Sequence, residues 1–425
     1  MSPVSVIATR RGAGGIPADS PRVEAVQRMR GLVAAGEFEN AFDLGERIMA
    51  SRPPAEVIEA LMYPLDRGFA TAPDSGLYDL LQALVRRPTV RHRPWRILLT
   101  TVLLDRLHWS SEALQESERL LDLPRRYSWM RWHRGMMLLN NRWDFAEAAT
   151  EFQAVLQGAP QYWKARALLA EIALSQGRSR EAFAAMGGLY RTVPEMDRPA
   201  ILVWRAEMRL WTGAYAAALR DLDAALALAA ATRASPFPLT LCWRGAALLK
   251  LGRLPEALRD LDAQLRAHPE DQEALIWRGE AKRLAGRCRE ALADLDAACR
   301  FGNSPMWAYV NRALVRARLR DHPGMWADYF LVPLRVRSYF SWRAGRDVKP
   351  GAPPRAVTAQ LEAILDAGRG VRRSEQYLFS MWLKPLSRTA PRRYSQASTR
   401  MDPGATPRPA SSSEKARIIT GGPDR

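Results

Sequence analysis

Apolar residues recur on a helical period in paired runs through the middle of this chain. The stretch from Phe237 to Glu270 shows the unit most clearly. LTLCWRGAALLK carries apolar side chains three and four apart, the pattern of a helix with one buried face. Gly252 ends that run in a Leu-Gly-Arg turn, where only glycine takes the left-handed conformation cheaply. PEALRDLDAQLRAH is a second helix, with Pro255 suited to its first turn and Pro269 closing the unit. The next stretch, LIWRGEAKRLAGRCREALADLDAAC, repeats this arrangement 34 residues on.

The repeat extends well beyond these two copies. Slim residues Met136, Ala170, Ala206, Gly245, Gly279 and Ala313 are spaced 34, 36, 39, 34 and 34 residues apart. A second set, Ala148, Ala182, Ala218, Ala257, Ala291 and Met325, follows each by twelve residues. Such a period predicts stacked helix–turn–helix units that hide their apolar faces against their neighbours. The two longer spacings come from the MDRP segment (196–199) and the TRASPFP segment (232–238), which suit exposed turns.

With Gly245, Leu254, Ala257, Leu261 and Pro269 at their fixed offsets, the unit resembles the tetratricopeptide repeat. Phe152 and Pro160, Ala182 and Pro194, and Gly213, Tyr215 and Ala218 keep the pattern in other units. The resemblance implies an all-α, right-handed α-solenoid of antiparallel helix hairpins. Together with the composition of both ends, this divides the chain into a disordered leader (1–21), degenerate hairpins (22–128), an array of about six repeats (129–333), helices expected to cap it (334–385), which the resemblance does not cover, and a disordered basic tail (386–425). Within the cap, 355–367 reads as one amphipathic helix and 374–384 as a second, rich in aromatics.

Charge changes this picture locally. The chain has 425 residues and a net charge of +18, but 334–425 holds 18 Lys/Arg against 7 Asp/Glu, a net of +11. The other 333 residues therefore carry +7, and the array is close to balanced. Arg205, Arg244, Arg278 and Arg312 each precede the slim residue of a first helix, and Asp221, Asp260, Asp294 and Asp328 each follow sixteen residues later. Those positions meet in an antiparallel hairpin. They form either a structural ladder of ion pairs or a charged recognition stripe. The unit around Met136 has Gly135 at the arginine place and Glu151 at the carboxylate place.

Three further groups are candidates for contact with a partner. Trp204, Trp243 and Trp277 immediately precede the arginines; the resemblance puts this position beside the concave groove, whereas packing between first helices is the structural alternative. Glu171, Glu207 and Glu280 lie one turn on and, with Arg283, Lys164 and Asn140, read as a polar groove lining or as a solvated helix face. In the tail, Arg372, Arg373, Arg392, Arg393 and Tyr394 mix charge with an aromatic, as binders of nucleic acid, acidic partners or anionic lipid do. A solubilising tail has the same composition.

Other classes are disfavoured. First-helix positions that carry Lys and Asn in clamps for heat-shock chaperone tails hold His133, Ala167, Val203, Cys242, Ile276 and Val310, then Met137, Glu171, Glu207, Ala246, Glu280 and Leu314. The sequence holds no phosphate loop, nucleophile elbow or zinc-protease motif. Its five histidines and three cysteines lack ligand spacing. No catalytic, cofactor or metal residue is expected. No apolar run approaches a membrane span, and a cytoplasmic location is expected. The sequence thus points to a non-enzymatic scaffold that takes a peptide or protein segment in the groove. The alternatives are an RNA- or DNA-binding protein using the basic C-terminal region, and an accessory subunit of a separately encoded enzyme.

Overall fold

The computed structural model describes residues 21–51, 57, 61–62, 65, 69, 74–86, 92–107, 109–123, 130–139, 144–231, 236–237, 239–300, 306–344, 348–349 and 351–367. Among these every regular element is a helix. They fall into two compact units, with 21–172 in one and 173–367 in the other. The expected leader, the aromatic segment 374–384, the basic tail and Asn140 lie outside the described residues, apart from Pro21.

The first unit contains α1 (Pro21–Ala34), α2 (Phe38–Ala50), α3 (Asp74–Arg86), α4 (Arg93–Arg106), α5 (Ser110–Glu118), α6 (Arg131–Met137), α7 (Phe145–Gly158) and the start of α8 (Trp163–Ser175). Consecutive helices pair as α1–α2, α4–α5 and α6–α7. Gly45 on α2 is small because the Trp95 ring of α4 lies directly against it. The indole of Trp95 is fully buried and donates to the Phe42 carbonyl at 3.0 Å. His92 is the N-cap of α4, its Nδ1 accepting the Trp95 N–H at 3.4 Å.

The second unit is more regular. It holds α9 (Ser179–Thr192), α10 (Arg198–Trp211), α11 (Tyr215–Ala231), α12 (Thr240–Lys250), α13 (Leu254–Ala267), α14 (Gln272–Leu284), α15 (Cys288–Arg300), α16 (Met306–Arg318) and α17 (His322–Leu331). The hairpins are α10–α11, α12–α13, α14–α15 and α16–α17, and each first helix also packs on the second helix of the hairpin before it. First helices touch one another as well, α10 to α12 to α14 to α16.

Close approach explains the slim positions. A Cβ on Gly245 would lie 2.7 Å from Leu261 Cγ, and one on Gly279 would lie 2.7 Å from Leu295 Cγ. The turn chemistry is equally specific. Gly213, Gly252 and Gly286 all take φ +76°. After Gly252, the Arg253 N–H reaches back to Leu248 O at 2.9 Å, closing the helix end. The last hairpin breaks the rule: Arg320 sits at the glycine place with φ +63°.

Two more helices follow, α18 (Leu334–Ala344) and α19 (Pro354–Ala367). The second matches the helix expected over 355–367; α18 is additional. Val357, Leu361, Ile364 and Leu365 of α19 are buried, and α19 packs on α16 and α18. A buried polar contact sets its register. The Tyr329 hydroxyl donates to Gln360 Oε1 at 2.5 Å, and Gln360 Nε2 donates to Ser341 Oγ at 2.9 Å.

Candidate interaction surface

The arginine–aspartate ladder forms, and every rung is a two-point contact. Arg205 binds Asp221 at 2.8 and 2.6 Å, and Arg244 binds Asp260 at 2.7 and 2.8 Å. Arg278 binds Asp294 at 2.9 and 2.7 Å, and Arg312 binds Asp328 at 3.0 and 2.6 Å. The planar guanidinium fork matches a carboxylate in this way, which lysine cannot do. All four carboxylates are buried. Burial works against the charge of Arg312, yet the hydrogen bonds and charge of Asp328 hold its guanidinium above the usual arginine range.

A second acidic residue makes the ladder continuous. The remaining nitrogen of Arg244 reaches Asp223 at 3.2 Å, that of Arg278 reaches Asp262 at 2.8 Å, and that of Arg312 reaches Asp296 at 2.8 Å. Asp223, Asp262 and Asp296 belong to the preceding hairpin, two residues past its own rung carboxylate. Each Asp-Leu-Asp therefore serves two arginines, its own and the next. Three rungs carry a further cation one turn along: Arg209 at 2.7 Å from Asp221, Lys282 at 2.7 Å from Asp294 and Arg316 at 3.0 Å from Asp328. Asp260 has no such neighbour, because Leu248 stands at that place.

In the first unit the α6–α7 hairpin corrects the sequence reading. Gly135, not Met136, is the slim residue there. A Cβ on it would lie 2.7 Å from Phe152 Cε1, as one on Gly245 would from Leu261. The helix then loosens into a π turn at Leu138–Leu139, which accommodates one extra residue. Arg134, directly before Gly135, thus occupies the ladder place that seemed empty. It is buried and contacts Glu147, Glu151 at 3.4 Å and, in the preceding hairpin, Ser117 Oγ at 3.2 Å. Arg131 makes the two-point contact to Glu151, at 2.5 and 2.9 Å.

The residues expected to line the groove lie deeper than an open lining would. Trp204, Trp243 and Trp277 have no exposed surface, so they do not form an accessible aromatic strip. They are large and largely apolar, and the surrounding protein covers them completely. Glu207 and Glu280 are buried on the same helices, and Glu171 is buried on α8 in the first unit, so these positions are not a solvated face. Lys164 is buried beside them in sequence, with its ammonium 5.9 Å from the Trp163 ring.

Within the second unit the structure links several of these positions. Lys250 Nζ on α12 meets Glu280 Oε1 on α14 at 2.9 Å and lies 5.6 Å from the Trp277 ring. Arg283 Nε on α14 reaches Asn311 Oδ1 on α16 at 3.3 Å. Arg318 donates to the Arg283 carbonyl at 2.7 Å. Lys250 and Asn311 were not singled out by sequence. Asn311 stands where the earlier hairpins carry tryptophan, a break in pattern that was visible. Cys242 is buried on α12; burial first, then the charges of Asp271, Glu273 and Glu207, push its thiol well above the usual cysteine range. Among the described residues no group of His, Cys, Asp or Glu is arranged to hold a metal, and no helix is long and apolar enough to cross a membrane.

Paired helices stacked at a fixed repeat, with slim contact residues and glycine turns, define an all-α helical-repeat protein. The tetratricopeptide repeat family model matches residues 142–196 and 244–305. The crystal structure of yeast Tom70 superposes on 75% of this chain and 70% of its own, at 15% identity and a TM-score of 0.52. A tetratricopeptide repeat protein from Parabacteroides merdae covers 68% of this chain and 98% of its own, at 13% identity and a TM-score of 0.41. PilF of Pseudomonas aeruginosa covers 56% and 99%, at 13% identity and a TM-score of 0.40. No curated protein matches the sequence. Residues 142–196 and 244–305 thus match the tetratricopeptide repeat, and the described residues form an all-α helical-repeat fold similar to that of Tom70.

Proposed function

We propose that this chain is a non-enzymatic scaffold that takes a peptide or protein segment along the first helices of hairpins 198–318. One contrast supports the reading. Ladder positions hold the same residue types from hairpin to hairpin, as a framework requires. First-helix positions do not: Glu207, Ala246, Glu280 and Leu314 stand at one place, and Leu210, Leu249, Arg283 and Ala317 at another. Recognition of one particular segment needs such variation, because identical units present identical contacts. In this reading half-buried Lys250 is the polar contact, and buried Glu207, Glu280 and Arg283 shape the face from within rather than touching the ligand. Trp204, Trp243 and Trp277 support the face from beneath, without touching the ligand.

The test is an affinity capture from a cell extract with the full chain, read by mass spectrometry. It compares wild type with a Lys250→Gln, Arg283→Gln variant. Partners retained by wild type and lost by a variant with an unchanged circular dichroism spectrum support the assignment. A folded variant that retains every partner contradicts it.

A further inference from the structure

The end of the ladder differs from its middle, and the difference leaves an apolar surface. Phe330 stands two residues past Asp328, where the three preceding hairpins carry Asp223, Asp262 and Asp296. No carboxylate is there to receive an arginine. Instead the Arg337 guanidinium of α18 lies 5.2 Å from the Phe330 ring and 5.0 Å from the Tyr329 ring. Trp326 stacks on Phe330, with centroids 5.5 Å apart and planes 25° from parallel. Phe330 is thereby held in place although 46% exposed. Leu331 ends α17, Leu334 opens α18, and these two are 51% and 67% exposed. Side chains this open project outward from the turn.

The charge around the turn selects what it suits. Residues 330–349 contain five basic residues (Arg335, Arg337, Arg343, Arg346 and Lys349) and one acidic residue, Asp347. A second copy docked face to face would set this cationic stretch against itself. A neutral apolar partner would leave those charges without counterions at the contact. Projecting aliphatic side chains in a segment of net positive charge, with Arg337 beside them, match an anionic surface with an apolar layer beneath it. A bilayer deforms around a protruding turn and needs no matching shape. From this geometry we infer that the α17–α18 turn is a peripheral docking site for anionic lipid, with Leu331 and Leu334 entering the interface and Arg337 near the headgroups. The site is separate from the first-helix face, and its failure would leave that proposal untouched.

The experiment is co-sedimentation of the full chain with phosphatidylglycerol-rich vesicles and with pure phosphatidylcholine vesicles. Wild type is expected to bind the anionic vesicles only, and less as salt is raised. Leu331→Ser with Leu334→Ser removes the apolar contact without adding charge, and is expected to weaken binding roughly tenfold or more. Both side chains are exposed, so an unchanged circular dichroism spectrum is expected. Equal binding by the double variant would place any lipid affinity elsewhere and overturn the proposal. So would the absence of preference for anionic vesicles. Loss of self-association by the double variant without lipid would make the turn a protein interface and overturn it equally.

Discussion

The α6–α7 hairpin and the α12–α13 hairpin solve one problem with different residues. In α12–α13, Arg244 grips Asp260 directly and Gly245 lets Leu261 approach. In α6–α7, Gly135 admits Phe152, Arg134 keeps the place before the glycine, and Arg131 makes the two-point contact to Glu151. The extra residue is absorbed in a π turn. What both keep is a slim residue against a bulky one, and an arginine before it that reaches the hairpin behind. Arg134 does so through Ser117, and Arg244 through Asp223. The invariant is therefore a spatial relation. Strict sequence spacing is only its usual consequence.

The comparison is broken most severely by removing a cation where no other stands in. Arg244→Met leaves Asp260 buried without a counterion and is expected to cost about 3–5 kcal/mol of stability. Arg278→Met should cost less, because Lys282 stays at 2.7 Å from Asp294. Urea unfolding of both variants checks the order, and equal losses would remove the stated role of the second cation. Next comes the slim position. Gly245→Ala and Gly135→Ala each place a methyl against a buried side chain and are expected to cost about 1–3 kcal/mol. Thermal melts compare them with Met136→Ala, which should be milder if Gly135 is the true contact residue. The smallest effect has the opposite sign. Arg320→Gly relieves a left-handed backbone at φ +63° and is expected to stabilise the last hairpin by about 1 kcal/mol. An unchanged or lowered melting temperature would contradict it.

Much of this architecture was legible in the sequence, for identifiable reasons. The 34-residue period, the glycine turns and the arginine–aspartate rungs all rest on residue types whose role is local and repeated. The second aspartate of Asp-Leu-Asp was equally visible at 223, 262 and 296, but its partner lies in another hairpin, which a within-unit reading does not reach. The register at Gly135 was hidden because a π turn leaves no residue signature of its own. The depth of Trp204, Trp243 and Trp277 was hidden for a different reason. Helical periodicity identifies a buried face but does not distinguish a groove from the contact between adjacent first helices. The helix α18 escaped because LRVRSYFSWRA carries none of the repeat's slim residues. Of the proposed face, sequence supplied Glu207, Glu280 and Arg283. Lys250 and Asn311 emerged only once α12, α14 and α16 were side by side.

The central claim is that the arginines bind each hairpin to the one before it, as well as closing their own. A double-mutant cycle on Arg278 measures this directly. Arg278→Met is combined in turn with Asp294→Asn, within the hairpin, and with Asp262→Asn, across hairpins, and stability is read by urea unfolding. The account predicts a coupling of about 0.5–1 kcal/mol across hairpins and a larger one within, since Asp262 is the more exposed partner. Coupling confined to Asp294, with none to Asp262, would show that the ladder ends inside each hairpin and would contradict the account.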